Sequence, residues 1–117
     1  MIEKRQFYIN GQWVDPSAAD DFGVIDPSTE DTCAVISLGA EADTNAAVAA
    51  ARAAFESWAF SDKSERLALI ERILDIYNRR SDDMAEAISL EMGAPIDFAK
   101  SSQATTGSWH IKNFIRA

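Results

Sequence analysis

The chain has 117 residues and a formal net charge of −8, from 19 Asp and Glu against 11 Lys and Arg, which leaves room for one domain or a piece of one. With 47% hydrophobic residues it carries enough apolar material for a core and does not read as disordered. The acid excess argues against nucleic acid or anionic membrane as partners, because the nearest basic cluster, Arg79-Arg80, is followed at once by Asp82-Asp83. The opening Met1-Ile-Glu-Lys-Arg-Gln mixes charges and lacks the apolar stretch of a signal peptide, and no apolar run approaches membrane-span length. A single cysteine, Cys33, cannot close an intramolecular disulfide, which suits a cytoplasmic protein.

In chain order, strand signals come first. Phe7-Tyr-Ile9 and Gln12-Trp-Val14 flank Asn10-Gly11, a dipeptide that tolerates the positive φ angles of a type I′ turn. A second hairpin is expected from Phe22–Ile25 and Thr32–Leu38, separated by the turn formers of Asp26-Pro-Ser-Thr-Glu-Asp31. Hairpins this small need something to lie against.

From Ala40 onward the pattern is helical. Ala46 to Trp58 is an alanine-packed helix ending in Phe55 and Trp58, able to approach a neighbour closely, with Glu41 and Asp43 placing negative charge in its first turn. A second helix starts near Ser61–Glu65, where Asp62 and Glu65 have capping-box spacing. Leu67, Ile70, Leu74 and Tyr77 share one face, Leu69, Ile73 and Ile76 widen it, and Asp75 to Arg79 is a favourable i,i+4 pair. Phe55, Trp58, Leu67, Ile70, Leu74 and Tyr77 are therefore expected in the core. A shorter helix spans about Asp82 to Met92, with Met84, Ala85, Ile88 and Met92 inward, a Gly93 cap and Pro95 forbidding continuation. Ile96 to Ala117 reads as a weaker helix, lowered in propensity by Thr105-Thr106-Gly107. The expected architecture is a helix-rich α+β fragment, with two hairpins over 1–39 followed by about four helices over 40–117.

Four segments in register resemble the N-terminus of the aldehyde dehydrogenase family. They are Tyr8-Ile-Asn-Gly-Gln-Trp-Val14, Ile25-Asp-Pro-Ser-Thr-Glu30, Ala47-Val-Ala-Ala-Ala-Arg-Ala-Ala-Phe55 with Trp58, and Leu90-Glu-Met-Gly-Ala-Pro95; Arg66 adds a fifth point of match. Each motif occurs widely, but the order and separations are specific. The Gly-Lys-Pro common in the family is Gly93-Ala94-Pro95 here. The resemblance implies a segment that packs beside the cofactor domain of a larger α/β enzyme. In that enzyme a cysteine thiolate attacks an aldehyde, hydride passes to NAD or NADP, and water releases the acid. The family's nucleophile, its glutamate base and its dinucleotide site all lie later in the family chain. The resemblance therefore implies no catalytic and no cofactor-binding residue in these 117 positions, and a chain inactive alone. It also implies two minor roles. Ile25, through its carbonyl, and Glu91 match positions that hold a structural sodium ion in some members. Ser102 and Thr106 would face the entrance by which the aldehyde arrives.

The residues themselves add little chemistry. Cys33 sits in the second hairpin far from His110, the one histidine, and reads as a packed structural thiol. No Cys/His pair has zinc spacing, and no glycine-rich loop follows a strand. The wide apolar face of the second helix predicts self-association, or burial against the remainder of the enzyme. Two other readings stay open, a stand-alone interaction or oligomerisation module and an inactive truncated remnant.

Overall fold

The computed structural model describes residues 1–117 and divides into two compact units. The first is Met1–Ile25 with Glu30–Phe60; the second is Asp26–Thr29 with Ser61–Ala117.

The first unit holds β1 (Ile2–Lys4), β2 (Phe7–Ile9), β3 (Gln12–Val14), β4 (Asp21–Ile25), β5 (Thr32–Ser37) and α1 (Glu41–Trp58). Strands β2 and β3 form the expected hairpin, with Tyr8 opposite Trp13. Its turn works because Asn10 and Gly11 both take positive φ, 53° and 76°, matching the twist of the strands. The Tyr8 and Trp13 rings meet across the strands at a tilt of 56°, with centroids 5.2 Å apart, yet both rings lie on an exposed face.

Strands β4 and β5 form the second expected hairpin, antiparallel, with a register shift between Val24 and Ile25. Strand β1 has no counterpart in the sequence pattern. It adds parallel to β5, Ile2 opposite Ala34, and makes a three-stranded sheet in the order β1-β5-β4. Three residues carry no periodicity of their own, so only the partner strand makes them a strand. Arg5 anchors the addition by bonding both carboxylate oxygens of Asp21 at 3.0 Å and Glu3 at 2.6 Å. As the middle strand, β5 is the best covered, with Ala34 and Ser37 buried.

Helix α1 meets β2, and Asp43, Thr44 and Ala47 line one depression with Phe7 and Ile9. Toward its C-terminal end it is uncovered, which corrects the core expectation for Phe55 and Trp58: Phe55 is 60% exposed and Trp58 41%. An alanine face permits close approach, but burial requires a neighbour, and the unit supplies one mainly near the N-terminal end.

The second unit holds α2 (Lys63–Arg79), α3 (Ser81–Met92), the short α4 (Ile96–Phe98), a π-helical turn (Ala99–Gln103) and α5 (Ala104–Arg116). Only Arg80 separates α2 from α3. Asp62 precedes α2 but makes no capping bond with its side chain, so the capping box read from Asp62 and Glu65 does not form. Nor does the Asp75–Arg79 pair close. The ion pairs of this unit are Arg80–Asp83 at 3.2 Å and Lys100–Asp82 at 3.3 Å, both exposed and worth little. Helix α3 ends as expected, with Gly93 left-handed at φ 73°.

The core here consists of small residues. Ala85, Ala99 and Ala104 are fully buried, joined by Ala94 and flanked by Ile88. Leu67, Ile70, Leu74 and Tyr77 are half-buried, while Met84 and Met92 are exposed rather than inward. No large side chain anywhere in the molecule is fully buried. Small side chains let α3, the π turn and α5 sit close together, while the larger ones spread outward. No helix is long and apolar enough to cross a membrane.

Candidate functional site

The junction of β5 with α1 is the one place where a strand runs directly into a helix, the arrangement that a dinucleotide phosphate would need. Here the helix N-terminus is already filled. The Asp43 carboxylate accepts the backbone N–H of Ala40 at 2.9 Å and that of Ser17 at 2.8 Å. These two donors hold its carboxyl below the usual carboxylate range, Ala40 contributing most. An anion in that position repels a phosphate approaching this helix start. Ala40 cannot cap with its own side chain, and Asp43 does the capping by reaching back three residues. Charge pattern alone credits Asp43 with a dipole effect only. The signal for its second role is an alanine where a capping residue belongs.

Ser102 and Thr106 come together. Ser102 lies inside the π turn, and the Thr106 hydroxyl donates to the Ser102 carbonyl at 2.9 Å. Thr105 donates to the carbonyls of Ser101 and Ser102, so the stretch presents exposed hydroxyls on a self-satisfied helical surface. Thr105, Thr106, Ser108, Trp109 and Lys112 line a shallow groove beside it. A wide turn of this kind inserts one residue into a helix and often marks functional segments.

The face is set by a contact that spacing in the sequence does not reveal. The Tyr77 hydroxyl donates to the Ala104 carbonyl at 2.7 Å. Gly107 makes room for the ring, since a Cβ there would stand 2.6 Å from Tyr77 Cζ and closer still to the hydroxyl. A glycine inside a helical pattern is the available signal for close approach; propensity alone registers it only as a weakening of the helix.

Ile25 ends β4 in the first unit, and Glu91 is an exposed carboxylate on the last turn of α3 in the second. No group of three or more His, Cys, Asp or Glu side chains gathers around a common point. Cys33 is half-buried and its thiol points to the Val24 carbonyl at 3.4 Å. His110 is exposed and meets Trp109 edge-on, with ring centroids 5.0 Å apart. In the turn before Glu30, Asp26 accepts the hydroxyl and N–H of Ser28, which together with Thr29 lower its carboxyl.

This is the architecture of a fragment: a small sheet, a helical unit with an alanine core, and large apolar side chains left open. The model of the aldehyde dehydrogenase family matches residues 13–116, and the chain belongs to that family. A solved aldehyde dehydrogenase from Bartonella henselae is 57% identical with a TM-score of 0.97, over 99% of this chain and 24% of that one. Aldehyde dehydrogenase C from Pseudomonas syringae, solved as a mutant with NAD+ and octanal, is 36% identical with a TM-score of 0.92, over 97% and 24%. A 3-succinoylsemialdehyde-pyridine dehydrogenase from a Pseudomonas species is 43% identical over 95% of this chain and 24% of its own length. The chain thus spans about a quarter of the length of these relatives, the N-terminal quarter.

Proposed function

We propose that this chain is the scaffold quarter of an NAD(P)+-dependent aldehyde dehydrogenase, contributing packing surface and part of the aldehyde entrance but not the reacting groups. The observation that carries the reading is its in-register match to a quarter of enzymes of that family, joined to an apolar surface left open by its own fold. The nucleophile, the base and the nicotinamide site belong to the remaining three quarters of such an enzyme. A nicotinamide bound there would supply the acceptor for a hydride from the substrate carbon. The residues of this chain position and cover. Alone, it is expected to leave NAD+ unreduced in the presence of aldehydes.

Substituting this chain for the matched quarter of the Bartonella henselae enzyme tests the reading. A chimera that oxidises aldehydes with NAD+ supports it. A chimera that folds but oxidises none, or catalysis by the isolated chain that Cys33→Ala abolishes, would overturn it.

Three further assignments belong to the same proposal. Ser102 and Thr106 border the entrance and make it polar, supported by their adjacent exposed hydroxyls; replacing both with Val should lower KM for long-chain aldehydes in the chimera, and an unchanged KM rejects the role. The Glu91 carboxylate is an oxygen ligand for a sodium ion, which rests on donor chemistry; a melting temperature of the chimera that sodium leaves unchanged, or a sodium-dependent rise that survives Glu91→Ala, rejects it. The location is cytoplasmic, in keeping with one unpaired cysteine, and secretion of the native protein would reject that.

A second reading, self-association of the isolated chain, is favoured by the groove of about 330 Å³ lined by Ile73, Ile76, Tyr77 and Met84. The same apolar face can serve either the rest of the enzyme or another copy. Sedimentation of a compact monomer at high concentration would reject self-association.

A further inference from the structure

We propose that Tyr77 is a positioning residue for the aldehyde entrance: it sets how the Ser102–Thr106 face is seated without touching substrate itself. This role rests on the entrance function proposed for that face.

The π turn from Ala99 to Gln103 breaks the regular i→i−4 ladder immediately before α5. The turn replaces those bonds with wider i→i−5 ones, the Ala104 N–H donating to the Ala99 carbonyl, so α5 starts rotated by the extra residue and a contact from outside the helix can hold it in that offset register. Tyr77 provides it from α2. Its hydroxyl donates to the Ala104 carbonyl, which lies between Ser102 and Thr106 in the chain, at 2.7 Å. Its ring occupies the space over Gly107 that any Cβ would take. One contact is directional and the other steric, and together they fix both the rotation of α5 and its distance from α2. Ala104 itself is fully buried, so a shift of its carbonyl cannot be absorbed by solvent. Thr106 is tied to the Ser102 carbonyl at 2.9 Å, and the two hydroxyl-bearing residues therefore move as a pair when Ala104 moves. The Tyr77 side chain is half-buried and does not line the groove beside Thr106. It acts through the backbone of α5.

Two variants that damage the contact by different routes should share one kinetic signature. Tyr77→Phe removes the hydroxyl and keeps the ring; Gly107→Ala leaves Tyr77 intact but puts a Cβ where its hydroxyl and ring edge sit, pushing both away from Ala104. In the chimera with the Bartonella henselae enzyme, each should change KM for long-chain aldehydes by up to about fivefold, the scale of one hydrogen bond. Each should leave kcat for a short aldehyde such as propanal unchanged, which a general loss of folding would not do. If Ser102→Val and Thr106→Val shift KM and the two contact variants do not, the positioning role is overturned while the entrance reading stands. If none of the four shifts KM, the entrance reading falls and the positioning role with it. Hydrogen exchange in the isolated chain supplies an independent readout: Tyr77→Phe should speed exchange at the amides of Thr105–Ser108 and leave α3 unchanged. Equal exchange in variant and parent overturns the proposal whether or not the chimera assembles.

Discussion

Asp43 shows how one side chain joins distant parts of a small unit. Its carboxylate satisfies the orphan N–H of Ala40 at the start of α1 and holds the loop at Ser17, 26 residues away. Because these donors favour the ionised form, the folded carboxyl titrates below its ordinary value of 3.8. A depressed folded value means that the stabilisation is fully present above the unfolded value and is lost as pH falls through the folded one. Denaturant curves of the parent and of Asp43→Asn should therefore differ at pH 7 and converge as the pH drops below about 4. A gap that persists unchanged into strong acid would show that the charge is not what matters. At Gly93 the backbone is left-handed, and a Cβ would stand 2.8 Å from the Pro27 ring. Gly93→Ala should cost about 1–2 kcal/mol in urea unfolding, and a neutral result would mean that the α3 cap is not formed in solution.

At the scale of elements, periodicity identifies the long helices and both hairpins, because side-chain spacing reports directly on local backbone geometry. It fails where local signals are absent or compete with a neighbour. Strand β1 carries three residues without a pattern and exists through its pairing with β5. The π turn has no propensity signature, since widening a helix by one residue is settled by the packing of Ala99 and Ala104 against α3 and by the bond from Tyr77. Burial is the least legible property. The stripe on α2 is real, but Ile73 and Ile76 stand exposed beside Met84, because nothing in the second unit covers them. A prediction specific to α2 comes from that exposure. Ile76→Glu should change the stability of the isolated chain by no more than about 0.5 kcal/mol, as for other surface positions, yet should block assembly in the chimera. A large loss of stability in the isolated chain would mean that Ile76 is buried in solution.

For the whole molecule, the balance between core and surface is the telling quantity. The buried cluster is made of alanines, which bury little apolar area each, whereas Phe55, Phe60, Phe98, Trp109 and Phe114 all lie exposed. At about 25 cal/mol per Å² of buried apolar surface, such a core stabilises weakly, and so large an open apolar surface favours contact with another polypeptide. The isolated chain is expected to show low resistance to urea, strong binding of a hydrophobic dye, and a sedimentation mass that rises with concentration above 12.8 kDa. A sharp, concentration-independent transition without dye binding would instead identify a self-sufficient module.

Sequence by itself determined the family and the order of the main elements, since four motifs in register and the switch from alternating to helical spacing are properties of the chain alone. Only the tertiary structure decided that Ser102 lies in a π turn with Thr106 bonded to it, that Tyr77 bonds Ala104 beside Gly107, that Asp43 caps α1 and holds Ser17, and that the aromatic residues of α1 are uncovered. The physical reason is that spacing fixes which face of an element is apolar, whereas burial, close approach and hydrogen-bond partners depend on what the rest of the fold brings against that face.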